Sequence, residues 1–187
     1  MTEPSEERRL SRTDLVQTYG DGVKTQDYSK AKEIAGVKIV DLRVFVDDGG
    51  LFLETSRLSE AGEMEAMPGF KVRQTNHSVL EPGTIKAAHL HFNQEDVWFV
   101  PPHDRVLVGL LDARKDSPTA NLKMRFVMGS GRAQLLYIPR GVVHGAANLW
   151  TKPMVLAYFV NRQFDGKDEQ RLPYTVYGEG FWTIQPG

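Results

Sequence analysis

The chain has 187 residues, 41% of them hydrophobic and 10% aromatic, which is enough for one substantial core. Charged residues make up 25% and balance to a formal net charge of −1, which excludes the basic footprint of a nucleic-acid binder or a membrane-surface helix. There is no cysteine, so disulfides, thiolate nucleophiles and cysteine-ligated zinc are ruled out, and histidines, carboxylates and hydroxyls must carry any chemistry.

The start, MTEPSEERRL, is charged and lacks an apolar signal-type segment, and no later stretch approaches the roughly 20 apolar residues of a membrane span. These features predict a cytoplasmic protein whose partner is a small molecule, with no nucleic acid and no membrane. Residues 1–33 read as a polar arm in which Ser11 could cap only a short helix. Residues 34–187 read as one domain. From Gly36 the chain becomes a series of short apolar runs: VKIVDLRVFV and LFLETSRL around an Asp47-Asp48-Gly49-Gly50 turn, then FKVRQTNHSVL, TIKAAHLHF, VWFV, RVLVGLLDA, KMRFVM, AQLLYI and VLAYFVN. Many short strands at regular spacing predict an all-β sandwich or closed barrel, and the part after Phe164 reads as an irregular tail.

His89 and His91 are two apart, so on a regular strand both imidazoles face one way. Pro139-Arg140-Gly141-Val142-Val143-His144 sets a third histidine after a Pro-x-Gly turn. Gly83, His89-x-His91 and Glu95 resemble the first half of the cupin signature, and the Pro-x-Gly-x-x-His segment resembles the second. The resemblance implies a cupin fold, a double-stranded β-helix or jelly-roll barrel, with its working site around His89, His91 and His144. No metal cofactor is expected. The alternative is a divalent transition metal on His89, His91, Glu95 and His144, a donor set that suits Fe, Mn, Ni or Zn. In the plainer reading His91 is a hydrogen-bonding core residue and Glu95 lies in a turn beside Asn93 and Gln94; His77 and His103 are surface residues.

Five further stretches occur in an order that resembles the dTDP-4-dehydrorhamnose 3,5-epimerase family: Phe52-Leu53-Glu54, Gln74-Thr75-Asn76-His77-Ser78, Ile85-Lys86-Ala87-Ala88-His89, Asp112-Ala113-Arg114 with Ser117-Pro118-Thr119, and Ile138-Pro139-Arg140-Gly141-Val142-Val143-His144-Gly145. The resemblance implies a nucleotide-sugar epimerase or isomerase acting on a dTDP-4-keto-6-deoxyhexose. It implies that Glu54, Gln74 and Asn76 hold the nucleotide, with His91 also on the substrate. Lys86 would meet the diphosphate. His89 would be the base that removes the proton α to the 4-keto group, helped by His144 as a donor to the keto oxygen. Lys86 and His89 have an odd spacing, so sharing one cavity requires a bulge between them.

The same resemblance predicts departures. An ungapped count from Tyr158 sets Tyr174-Thr175-Val176 where the family carries the acid partner of its base, Gln163-Phe164 at its tyrosine pair and Trp98 at its lysine. That count leaves His89 without its orienting carboxylate. Asp165, Asp168, Glu169 and Glu179 are the candidates to supply one, and Tyr137, Tyr158 and Tyr177 to supply a phenol; each also reads as a loop charge or packed aromatic. Three functions stay open on these residues: the epimerase, a metal-dependent cupin enzyme, and a nucleotide-sugar binder that has lost the chemistry. A homodimer is expected, with the polar arm long enough to reach a partner.

Overall fold

In the computed structural model, residues 8–27, 29 and 31–185 are described, and the chain divides into two compact units, Met1–Ala31 and Lys32–Gly187. In the first unit a 3-10 turn spans Arg12–Asp14, where the Asp14 carboxylate accepts the Ser11 N–H at 2.8 Å, and a single helical turn spans Gln17–Gly20. No described helix is long and apolar enough to cross a membrane.

The second unit is all-β, as the sequence predicts. Its strands are β1 (Lys38–Asp41), β2 (Val44–Asp47), β3 (Gly50–Leu53), β4 (Gln74–Leu80), β5 (Ile85–Leu90), β6 (Asp96–Phe99), β7 (Arg105–Asp112), β8 (Lys123–Gly129), β9 (Gln134–Ile138), β10 (Val142–Ala147), β11 (Met154–Val160) and β12 (Gln170–Arg171). All pairings are antiparallel. They make one five-stranded sheet ordered β1-β9-β6-β11-β4, a second ordered β12-β5-β10-β7-β8, and a separate hairpin, β2-β3. This is the jelly-roll architecture of a cupin, with a short 3-10 turn at Tyr174–Tyr177 in the C-terminal part.

The inner faces of the two sheets make the main core, in which Leu80, Val108, Leu110, Leu136 and Ile138 are almost fully buried. A second cluster packs Tyr177 and Trp182 from the C-terminal segment over the outer face of β7 and β10. That tail is therefore part of the core. Gly109 leaves room for it, because a Cβ there would lie 2.6 Å from both the Phe181 and Trp182 rings.

β10 was not anticipated as a strand. Every residue of Val142–Ala147 is buried, so the stretch lacks the alternation of a half-exposed strand, and Gly145 and Ala146-Ala147 carry little strand propensity. Gly145 is required by close packing: a Cβ would lie 2.4 Å from the Ala87 Cβ and 3.1 Å from the Lys86 carbonyl oxygen on β5.

Candidate active site

A cavity of about 630 Å³ opens between the two sheets. On one wall, Asn76, Tyr158 and Trp98 lie side by side in register across β4, β11 and β6. Gln74 and Ser78 flank Asn76 on the same face, because alternate residues of a strand point the same way. Gln74 donates from Nε2 to Asn76 Oδ1 at 2.7 Å and accepts the Phe164 N–H at 2.9 Å, which fixes both amides at the rim.

On the other wall His89 of β5 lies opposite His144 of β10. The next pair is Lys86 with Ala146, so three steps along β5 match two along β10. That shift is the bulge which the odd spacing required, and it lets Lys86 and His89 line one cavity. The Lys86 ammonium donates to Ser78 Oγ at 2.8 Å and to the Val79 carbonyl.

Each of the three histidines is held by its Nδ1. In His89 this nitrogen is 2.7 Å from Glu169 Oε1. In His91 it is 2.9 Å from the Asp168 carbonyl oxygen, and in His144 it is 3.0 Å from the Val142 carbonyl oxygen. Carboxylates and carbonyls only accept here, so the proton is on Nδ1 in each ring and the lone pair is on Nε2. His144 is buried, and burial pushes its pKa down to about 4 against the opposing pull of Asp96. It is therefore a neutral ring offering an acceptor. The expected role of His144 as a hydrogen-bond donor does not fit this tautomer.

Asp168 anchors the segment that carries Glu169. Its carboxylate accepts the backbone N–H groups of Phe92 (2.9 Å), Asn93 (3.1 Å) and Gln94 (2.9 Å). Burial alone would raise its pKa, but these donors outweigh it and hold the group below the usual carboxylate value. β12 completes the arrangement by pairing Arg171 with His89.

Asp96, at the start of β6, is buried at the cavity floor and accepts from Gln94 Nε2 at 2.9 Å and Trp98 Nε1 at 3.0 Å. Trp98 meets the His144 ring edge-on at 5.4 Å between centroids. Tyr158 also lines the cavity, and burial, with the charges of Asp96 and Glu169, raises its pKa.

The profile of the dTDP-4-dehydrorhamnose 3,5-epimerase family matches residues 31–176. The chain belongs to that family. It is 37% identical over 155 residues to the spore coat polysaccharide biosynthesis protein SpsL of Bacillus subtilis, covering 81% of this chain and 98% of that one. It is 33% identical over 143 residues to the probable low-salt glycan biosynthesis epimerase Agl13 of Haloferax volcanii, covering 75% and 88%. In fold it is similar to the crystal structure of dTDP-6-deoxy-D-glucose-3,5-epimerase RmlC of Legionella pneumophila in complex with dTDP-4-keto-L-rhamnose. The TM-score is 0.69 at 20% identity, over 82% of this chain and 84% of that one.

Against this dTDP-sugar epimerase background, the cavity gathers Gln74, Asn76, Lys86, His89, His91 and His144, and adds Asp96, Tyr158, Glu169 and Arg171. The structure corrects the expectation that His89 lacks a carboxylate, because Glu169 reaches it from just before β12. The ungapped count pointed instead at Tyr174-Thr175-Val176, which lies in the 3-10 turn Tyr174–Tyr177.

Glu54 is not in this cavity. It follows β3 on the separate hairpin and accepts from Arg57 at 2.5 and 2.7 Å, beside a different hollow that includes Arg43. Glu95 points away as well and accepts from Asn161 Nδ2 at 3.0 Å, so the alternative metal set of His89, His91, Glu95 and His144 is not assembled.

Asp165 and Glu179 are exposed, Tyr137 packs in a third cluster, and Tyr177 donates to the Gly109 carbonyl in the second. His77 and His103 are exposed, though His77 is mid-strand on β4. The Ser-Pro-Thr stretch does structural work. Buried Asp112 accepts from Arg114 Nε (2.8 Å), Ser117 Oγ (2.5 Å) and Thr119 Oγ1 (2.7 Å), while Arg114 and Thr119 also bind the backbone of Ala35.

Proposed function

We propose that this chain is an epimerase of dTDP-4-keto-6-deoxyhexoses in which His89, oriented by Glu169, is the general base. The observation that carries the reading is the 2.7 Å contact between Glu169 Oε1 and His89 Nδ1. It sets the tautomer with a basic Nε2 and stabilises the imidazolium formed when the base takes a proton.

In this reaction His89 Nε2 removes the proton on a carbon next to the C4 ketone, and the electron pair of that C–H bond moves into an enolate. A proton then returns to the same carbon from the opposite face, inverting it. Tyr158 is the phenol among the cavity residues and is the proposed donor for that return. Gln74 and Asn76 are proposed to hold the nucleotide, and Lys86 and Arg171 to meet the diphosphate as point charge and guanidinium. His91 is proposed to accept from a sugar hydroxyl. Family membership, and a dTDP-sugar in the crystal structure of the Legionella enzyme, support the substrate class.

A homodimer and a cytoplasmic setting are further parts of the proposal. The dimer is supported by the hairpin β2-β3, whose paired Val46 (78% exposed) and Leu51 (51%) leave an apolar face open. A light-scattering mass of one chain would contradict it.

The activity is tested by incubating the protein with dTDP-4-keto-6-deoxyglucose and following C3 and C5 by proton NMR. The reading predicts a new epimer, absent with His89→Ala. Unchanged sugar beside tight dTDP binding would instead identify a binder without turnover.

A further inference from the structure

We propose that His91, Asp96 and His144 form a binding site for one divalent transition-metal ion in the floor of the cavity. The proposal concerns the protein free of sugar: the ion would take the same Nε2 of His91 that the epimerase reading offers to a sugar hydroxyl, while the base His89 is not one of the ligands.

All three side chains are buried, at 5%, 3% and 4% exposure, and one donor atom from each lies within 4.8 Å of the others. The proton positions sharpen that proximity. Both Nδ1 atoms donate to backbone carbonyls, so both Nε2 atoms present lone pairs. Hydrogen bonding of the second ring nitrogen to a carbonyl is the arrangement that fixes a ligating histidine. His144 Nε2 and Asp96 Oδ2 are 3.8 Å apart, too far for a hydrogen bond, and face each other as two acceptors. A cation between them resolves that opposition.

The surroundings match a ligand shell. The Trp98 indole N–H orients the Asp96 carboxylate as outer-shell donors orient ligating carboxylates. The Gln94 amide nitrogen is 2.9 Å from Asp96 Oδ1 and 3.4 Å from His91 Nε2. A half-turn of that amide offers its oxygen in place of its N–H groups. Two imidazole nitrogens and a carboxylate oxygen suit zinc, iron, manganese, cobalt or nickel over magnesium or calcium.

Protein dialysed against chelator and then against metal-free buffer is titrated with Zn(II) by calorimetry and with Co(II) by visible absorption, beside His91→Gln, Asp96→Asn and Glu95→Gln. The expected result is one equivalent bound with a Co(II) ligand-field band, weakened about tenfold or more in either ligand variant and unchanged in Glu95→Gln. Circular dichroism reports the folding of each variant, and either ligand variant alone suffices if the other fails to fold. No binding by folded wild type, or binding unchanged in a folded ligand variant, would overturn the proposal.

Discussion

Glu169 lies 2.7 Å from His89 through its side chain, while the residue before it, Asp168, holds His91 through its carbonyl oxygen and the loop after β5 through its carboxylate. One short segment therefore orients both histidines of the His-x-His pair. Glu169→Gln removes the charge that stabilises the imidazolium while keeping an acceptor. We expect kcat to fall by roughly 10² to 10⁴ with little change in KM, read from steady-state kinetics on the dTDP-sugar.

Asp168→Ala leaves three loop N–H groups without their acceptor and frees the segment that carries Glu169. A loss of about 1–3 kcal/mol is expected in urea denaturation, from unsatisfied donors, together with a lower kcat. Asp168→Asn keeps one acceptor oxygen and recovers part of both.

Lys86→Ala should raise KM for the nucleotide sugar about tenfold or more, the scale of a charge-assisted hydrogen bond, and make binding less sensitive to salt. Calorimetry with dTDP at two ionic strengths checks this. Lys86→Arg restores most of the affinity.

Asp112 makes acid stability depend on the Ser-Pro-Thr stretch. Burial pushes its pKa up, but Arg114, Ser117 and Thr119 outweigh burial and hold it well below the usual carboxylate range. A group depressed in the folded state contributes fully above its unfolded pKa and loses that contribution as pH falls through the folded one. The stability gap between wild type and Asp112→Asn should therefore be largest above about pH 4 and close on further acidification, as chemical denaturation across that range will show.

Gly145→Ala sets a methyl against Ala87 and the Lys86 backbone, at the bulge that brings Lys86 and His89 together. Overpacking of this kind costs about 1–3 kcal/mol, measurable by thermal denaturation.

Much of this was legible in the sequence. Gln74, Asn76 and Ser78 announce a polar strand face by alternation, and His89 and His144 announce the cavity by their family spacing. The parity of Lys86 and His89 even required the bulge that β5 contains. The remainder depended on contacts that no local pattern carries. Glu169 lies 80 positions from His89 beside a two-residue strand, so neither periodicity nor an ungapped count could choose it from its acidic neighbours. Glu95 and Asp96 differ by one residue, and only the start of β6 decides which of them faces inward. Glu54 fell outside the cavity because its hairpin joins neither large sheet.

The most direct test is incorporation of solvent deuterium into dTDP-4-keto-6-deoxyglucose, followed by mass spectrometry for wild type, Glu169→Gln and His89→Ala. The account predicts deuterium on a carbon beside the ketone with wild type, slower exchange with Glu169→Gln and none above the buffer rate with His89→Ala. Exchange at the wild-type rate in His89→Ala, or no exchange with wild type under saturating sugar, would contradict it.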